Sequence, residues 1–148
     1  MILLVLCASG SFLAGHPVAA AAAGNGASYV GGERCKLCHR SLYESWEATP
    51  HARSALPPGS SERCLSCHAT EARTLPVVQC EACHGPGSDY SAPEVMIDPD
   101  KAAMAGLVRP SIVVCERCHE NEEPGHRGTF QMPERREWPR WIHEIQDP

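Results

Sequence analysis

Large apolar residues are unevenly spread along this chain. Ile2, Leu3, Leu4, Val5, Leu6, Phe12 and Leu13 crowd its beginning, and the run closes on the small residues Val18-Ala19-Ala20-Ala21-Ala22-Ala23. The stretch is too short, and too interrupted by Ser, Gly, His and Pro, to cross a bilayer. Small residues ahead of Gly24 suit signal-peptidase cleavage between Ala20 and Ala23, so residues 1–23 are expected to be a signal peptide. No Lys or Arg precedes the apolar run, and an N-terminal membrane anchor is the competing reading. Leu6 ahead of Cys7 is not the small residue a lipoprotein peptidase needs, so Cys7 is read as part of the leader. Residues 24–28 form a Gly/Ser linker, and residues 29–148 are expected to be one domain.

Beyond the leader the periodicity is helical but brief. Arg40-Ser41-Leu42-Tyr43-Glu44-Ser45-Trp46-Glu47-Ala48 places Leu42, Tyr43 and Trp46 on one apolar face, which predicts a helix. Pro50 ends or kinks it. A second helix is expected over Glu134 to Ile145, interrupted by Pro139. No alternating pattern of useful length occurs, so extended sheet is not expected. Thirteen prolines predict short helices joined by turns. The fold class is therefore mainly α with much irregular structure.

Composition adds a problem that the cysteines answer. Aromatic residues are only 5% of the chain, and small chains with thin cores need a disulfide, a metal or a cofactor to hold them together. There are nine cysteines, and eight lie beyond the leader. They form Cys35-Lys36-Leu37-Cys38-His39, Cys64-Leu65-Ser66-Cys67-His68, Cys80-Glu81-Ala82-Cys83-His84 and Cys115-Glu116-Arg117-Cys118-His119. Each is C-x-x-C-H, the attachment signature of c-type haem. Two thiols three positions apart reach the two vinyl groups on one porphyrin edge, and the next residue brings an imidazole under the iron. Paired zinc knuckles would also use eight cysteines, but give no reason for a His after every pair. A disulfide framework fits an exported chain, yet a bridge inside C-x-x-C is of the redox-active kind. The expectation is a small multihaem cytochrome c built around four covalently attached haems (iron). The porphyrins supply most of the core, so the haem-free chain is not expected to fold. With only Ala69 to Gln79 between them, the second and third haems are expected to be near neighbours.

The motifs supply the proximal ligands His39, His68, His84 and His119, and each iron keeps one further axial position. The histidines outside the motifs are His16, His51, His126 and His143. His16 falls in the leader, so three distal imidazoles remain for four irons. At least one haem is then five-coordinate or capped by another group. His51 follows His39 by twelve residues, roughly 18 Å as helix, so it suits a neighbouring haem better than its own. His143, beside Trp141 and Ile142, suits the fourth haem, and His126 lies in a Pro/Gly loop. Met96 and Met104 are alternative thioether ligands, with core packing the plainer expectation for both.

Several of these segments resemble the cytochrome c-554 family of multihaem cytochromes. They are Cys35 to His39, Tyr43, Ser45-Trp46, Thr49-Pro50-His51-Ala52, Cys64 to His68, Val78-Gln79-Cys80-Glu81-Ala82-Cys83-His84-Gly85-Pro86-Gly87 and Cys115 to His119. The resemblance implies that His51 caps the third haem, that a His beyond the fourth motif, best His143, caps the fourth, and that the second haem has an open face. The family also places a His shortly after Gly-Pro-Gly to cap the first haem. Here no His lies between His84 and His119, and Tyr90 stands in that neighbourhood.

With 13 Lys+Arg against 18 Asp+Glu, the chain carries a formal charge of -5. It has no basic face for nucleic acid. Acidic surface steers basic partners; Glu120-Asn121-Glu122-Glu123 is a candidate part of it, with a plain solvated loop the plainer expectation. Other redox proteins are the expected partners, with a membrane-associated quinone or oxidoreductase complex as a further candidate. The expected function is periplasmic electron transfer by a carrier and not an enzyme. The alternatives are a haem enzyme reducing small nitrogen oxides at an open iron, and a protein that binds a diatomic gas there.

Overall fold

A computed structural model describes residues 26–71, 74–120 and 131–144. Residues 1–25, with the expected leader and its Cys7 and His16, lie outside the described residues, as does His126. Among the described residues the chain is helical with long irregular connections and no strand; one isolated bridge joins Glu71 and Leu75. No described helix is long and apolar enough to cross a membrane.

Eight short helices follow one another: α1 Gly32–Lys36, α2 Arg40–Glu47, α3 Glu62–His68, α4 Cys80–His84, α5 Pro93–Met96, α6 Pro99–Met104, α7 Ile112–His119 and α8 Trp138–Trp141. Two 3-10 turns, His51–Arg53 and Arg135–Glu137, complete the set. Prolines open α5, α6 and α8, where a missing N–H costs nothing. Pro139 therefore starts the C-terminal helix, contrary to the expectation that it interrupts one. Helix α4 stops at Gly85, whose φ of 82° lies in the left-handed region that glycine adopts freely.

The amphipathic face expected on α2 is present. Tyr43 and Trp46 are buried and meet ring to ring, with centroids 5.1 Å apart. The Trp46 indole N–H donates to the Val78 carbonyl at 2.9 Å, which ties α2 to the segment entering the third motif. Helix α1 packs on α2 and α4, α3 on α7, and α8 on α2. Ordinary core is scarce: the buried apolar residues are Tyr43, Trp46, Ala69, Tyr90 and Ala102. Ser28, expected in the linker, is already fixed to the domain. Its N–H donates to Ser88 Oγ, and its carbonyl accepts from the Ser88 N–H.

Candidate functional site

All four pentapeptides sit on short helices, where i and i+3 share a face. The second, third and fourth are continuous helix at α3, α4 and α7. The first is broken. Helix α1 ends after Lys36, and His39 adopts φ −112°, ψ 49° before α2 begins. The chain still makes the His39 N–H to Cys35 carbonyl bond at 2.9 Å, so the imidazole stays one turn beyond the first thiol.

The motifs meet in pairs that sequence distance does not suggest. The Cys35 and Cys80 thiols lie close enough to perturb each other's ionisation, which brings the first and third motifs together. Cys118 and Cys67 do the same for the fourth and second, and the Cys118 thiol is pushed up to about 12, by burial first and then by the neighbouring Cys67 thiol. Arg117 of α7 donates from Nη2 to the Ala82 carbonyl of α4 at 2.9 Å, linking the two pairs. The second and third motifs, near in sequence, are thus not the pair whose sulfurs come together.

Histidine rings are oriented by backbone carbonyls. His84 Nδ1 lies 2.9 Å from the Val108 carbonyl, and Val108 N–H donates back to the His84 carbonyl at 2.9 Å. His68 Nδ1 lies 3.2 Å from the Ser54 carbonyl, and His51 bonds to the Trp141 carbonyl. A carbonyl only accepts, so each of these rings donates one N–H and turns its other nitrogen's lone pair outward. This is how proteins orient imidazole ligands of a metal. Burial, followed for His51 by the neighbouring His119, lowers the pKa of His51, and burial likewise lowers those of His84 and His119. Such rings are neutral, as ligation requires.

Two histidine pairs stand out. His51 and His119 have ring centroids 6.0 Å apart at 73°, and His84 and His143 have theirs 6.3 Å apart at 27°. Metal–imidazole bonds of roughly 2 Å, with about 1.2 Å from nitrogen to ring centre, place two rings on opposite sides of one metal about 6 Å apart. The centroid separations of both pairs match that spacing. The pairing runs the other way from that implied by the family resemblance: His51 faces the fourth motif's His119, and His143 faces the third motif's His84. The cause is the return of α8 onto α2. That return brings the Trp141 carbonyl to His51 and Glu144 N–H to Ser45 Oγ at 2.8 Å, and carries His143 across to α4.

Other expectations fare differently. Tyr90 is 4% exposed and donates its hydroxyl to the Gly85 carbonyl at 2.6 Å, so it packs and caps α4. Met104 is 89% exposed, which corrects the expectation that it packs in a core; Met96 is half-buried. Glu120, at the start of the acidic run, is exposed, while Asn121 to Glu123 lie outside the described residues. All eight described cysteines are free, with no disulfide among them. Among the described residues no group of three or more His, Cys, Asp or Glu side chains gathers into a metal-ion site, so nothing there favours zinc knuckles.

Sequence reasoning missed the orienting carbonyls of Ser54, Val108 and Trp141, which no side-chain pattern reveals. It also missed the buried Glu81. Its one sequence cue is an acidic residue inside a motif followed by Gly85-Pro86-Gly87.

The donor set fits haem: paired thiols one turn apart, an imidazole beside each pair, and facing rings at iron-spanning distance. A scaffold that is helical and, among the described residues, without strands, and that carries C-x-x-C-H, is consistent with a small cytochrome c. A family model described as cytochrome c554 and c-prime matches residues 34–61, and supports assigning the chain to the cytochrome c554 family. The matched stretch holds the first pentapeptide, α2 and the Thr49-Pro50-His51-Ala52 segment. No curated protein and no solved structure matches the chain. The matching family is one of cytochromes c, so the match suggests covalently bound haem c and haem-based electron transfer.

Proposed function

We propose that the chain is an exported, periplasmic electron carrier that holds four haem c groups and exchanges electrons with other redox proteins. The observation that carries this reading is the pair of facing imidazoles, His51 with His119 and His84 with His143, at 6.0 and 6.3 Å. Haem, when bound, supplies one-electron chemistry; the protein's share is attachment, ligation and burial. Cys35 and Cys38, Cys64 and Cys67, Cys80 and Cys83, and Cys115 and Cys118 hold the four groups. His39, His68, His84 and His119 are the proximal ligands. His143 caps the third haem and His51 the fourth. Imidazole on both faces favours a low potential and blocks exogenous ligands, as suits a carrier.

A second reading rests on the ligand count. With His51 and His143 engaged, His126 is the one histidine beyond the leader left for the first and second haems. One of those two haems thus has an open or non-histidine sixth position, where nitric oxide or nitrite would bind. Stopped-flow spectra of the reduced holoprotein separate the two functions. The carrier reading expects fast electron exchange with a redox protein and no turnover of nitrite, hydroxylamine or nitric oxide. Sustained turnover of one of them would replace the carrier with an enzyme.

A further inference from the structure

Glu81 is the most deeply buried ionisable side chain among the described residues, at 2% exposure, and nothing above uses it. It occupies the first interior position of the third pentapeptide, on α4. Its Oε1 accepts from Gly87 N–H at 2.6 Å and Val30 N–H at 3.0 Å, and its Oε2 from Gly31 N–H at 2.7 Å. The pocket is shaped to the carboxylate. A Cβ on Gly87 would lie 2.9 Å from Oε1 and 2.9 Å from Val30 Cγ2, so only glycine brings that N–H to the carboxylate.

Both carboxyl oxygens face donors, and no acceptor stands ready for a carboxyl proton, so the hydrogen-bond pattern is that of an ionised group. No ion pair to Glu81 is present among the described residues; backbone dipoles alone answer its charge. The charge also lies where two motifs meet. Val30 and Gly31 lead directly into α1, which carries Cys35, and α1 packs on α4, which carries Cys80. Glu81 acts electrostatically on both sulfurs and on Tyr90.

We propose that Glu81 sets reduction potential: its buried negative charge lowers the potentials of the haems attached at Cys35–Cys38 and Cys80–Cys83. The inference rests on the four-haem reading above. Each ferric iron takes up one electron on reduction and loses one positive charge. A fixed anion in a poorly screened interior stabilises the oxidised state more than the reduced one. Glu81 is thus a positioning and tuning residue, which clamps the entry to α1 by its hydrogen bonds and biases two haems by its charge.

The test is a spectroelectrochemical titration of wild-type holoprotein, Glu81→Gln and Glu81→Asp, with covalent haem counted in each. The proposal expects Glu81→Gln to move two of the four midpoint potentials upward, and Glu81→Asp, which keeps the charge, to leave them near wild type. Unchanged potentials in fully loaded Glu81→Gln would overturn it. So would a shift in Glu81→Asp equal to that in Glu81→Gln, which would leave the residue a clamp only. Should Glu81→Gln fail to load haem, Gly87→Ala decides, because its added Cβ would crowd Glu81 Oε1 and displace the carboxylate. Movement of two midpoint potentials with the other two unchanged supports the proposal, and four unchanged potentials in the loaded variant overturn it. A wild-type protein without covalent haem would instead refute the proposed function, so the two failures are distinct.

Discussion

His51 and His143 carry the most specific residue-level claims. Replacing His143 by Ala removes the ring facing His84, and replacing His51 removes the ring facing His119. Each variant is expected to convert one haem from low to high spin, and the double variant two, as read by electron paramagnetic resonance. Loss of low-spin signal from the fourth haem in His143→Ala would restore the pairing implied by the family resemblance. The same rings give a pH dependence. Burial holds His51, His84 and His119 below the ordinary imidazole pKa, so the unfolded state binds more protons than the native one in acid. Stability is therefore expected to be full above pH of about 6.5 and to fall as pH drops through the depressed native values. An acid titration of the Soret band would show this, and a rise in stability on acidification would contradict it. The four C-x-x-C-H pentapeptides were legible in the sequence because that pattern is local to five residues. The partner of each distal His was not, since it depends on where α8 returns.

Helices here are short because proline and glycine bound them, and their value lies in what they hold in place. Helix α2 matched its expected apolar face because Leu42, Tyr43 and Trp46 need only the next elements to cover them. The C-terminal element differed: Pro139 looked like an interruption, yet its ring suits the first turn of α8. That element bears on two of the proposed ligands at once, carrying His143 to His84 and the Trp141 backbone to His51. Ending the chain after residue 134 is accordingly expected to raise the high-spin fraction by two haems, not the single haem affected by His143→Ala. Resonance Raman spin-state bands would check it, and a loss equal to that of His143→Ala would show that α8 does not support His51.

At the scale of the whole molecule, the buried apolar set of Tyr43, Trp46, Ala69, Tyr90 and Ala102 is small for a domain of this length. Leu37 and Ile97 stand 72% and 82% exposed, apolar surface that the described residues leave uncovered. A chain with its eight motif cysteines replaced by serine is expected to lose most of its helical far-UV dichroism. Native-like helix in that variant would show that side chains alone suffice. Low aromatic content and cysteines that fall into one repeated pattern are the sequence features that point to such a dependence. The sequence did not disclose the spatial order of the motifs, first against third and second against fourth, which loop length alone cannot predict.

The most direct test of the central claim is the covalent haem content of the purified protein, by pyridine haemochrome assay and intact mass. Four haems per chain are expected. A colourless protein, or zinc held at the C-x-x-C thiols, would contradict the account.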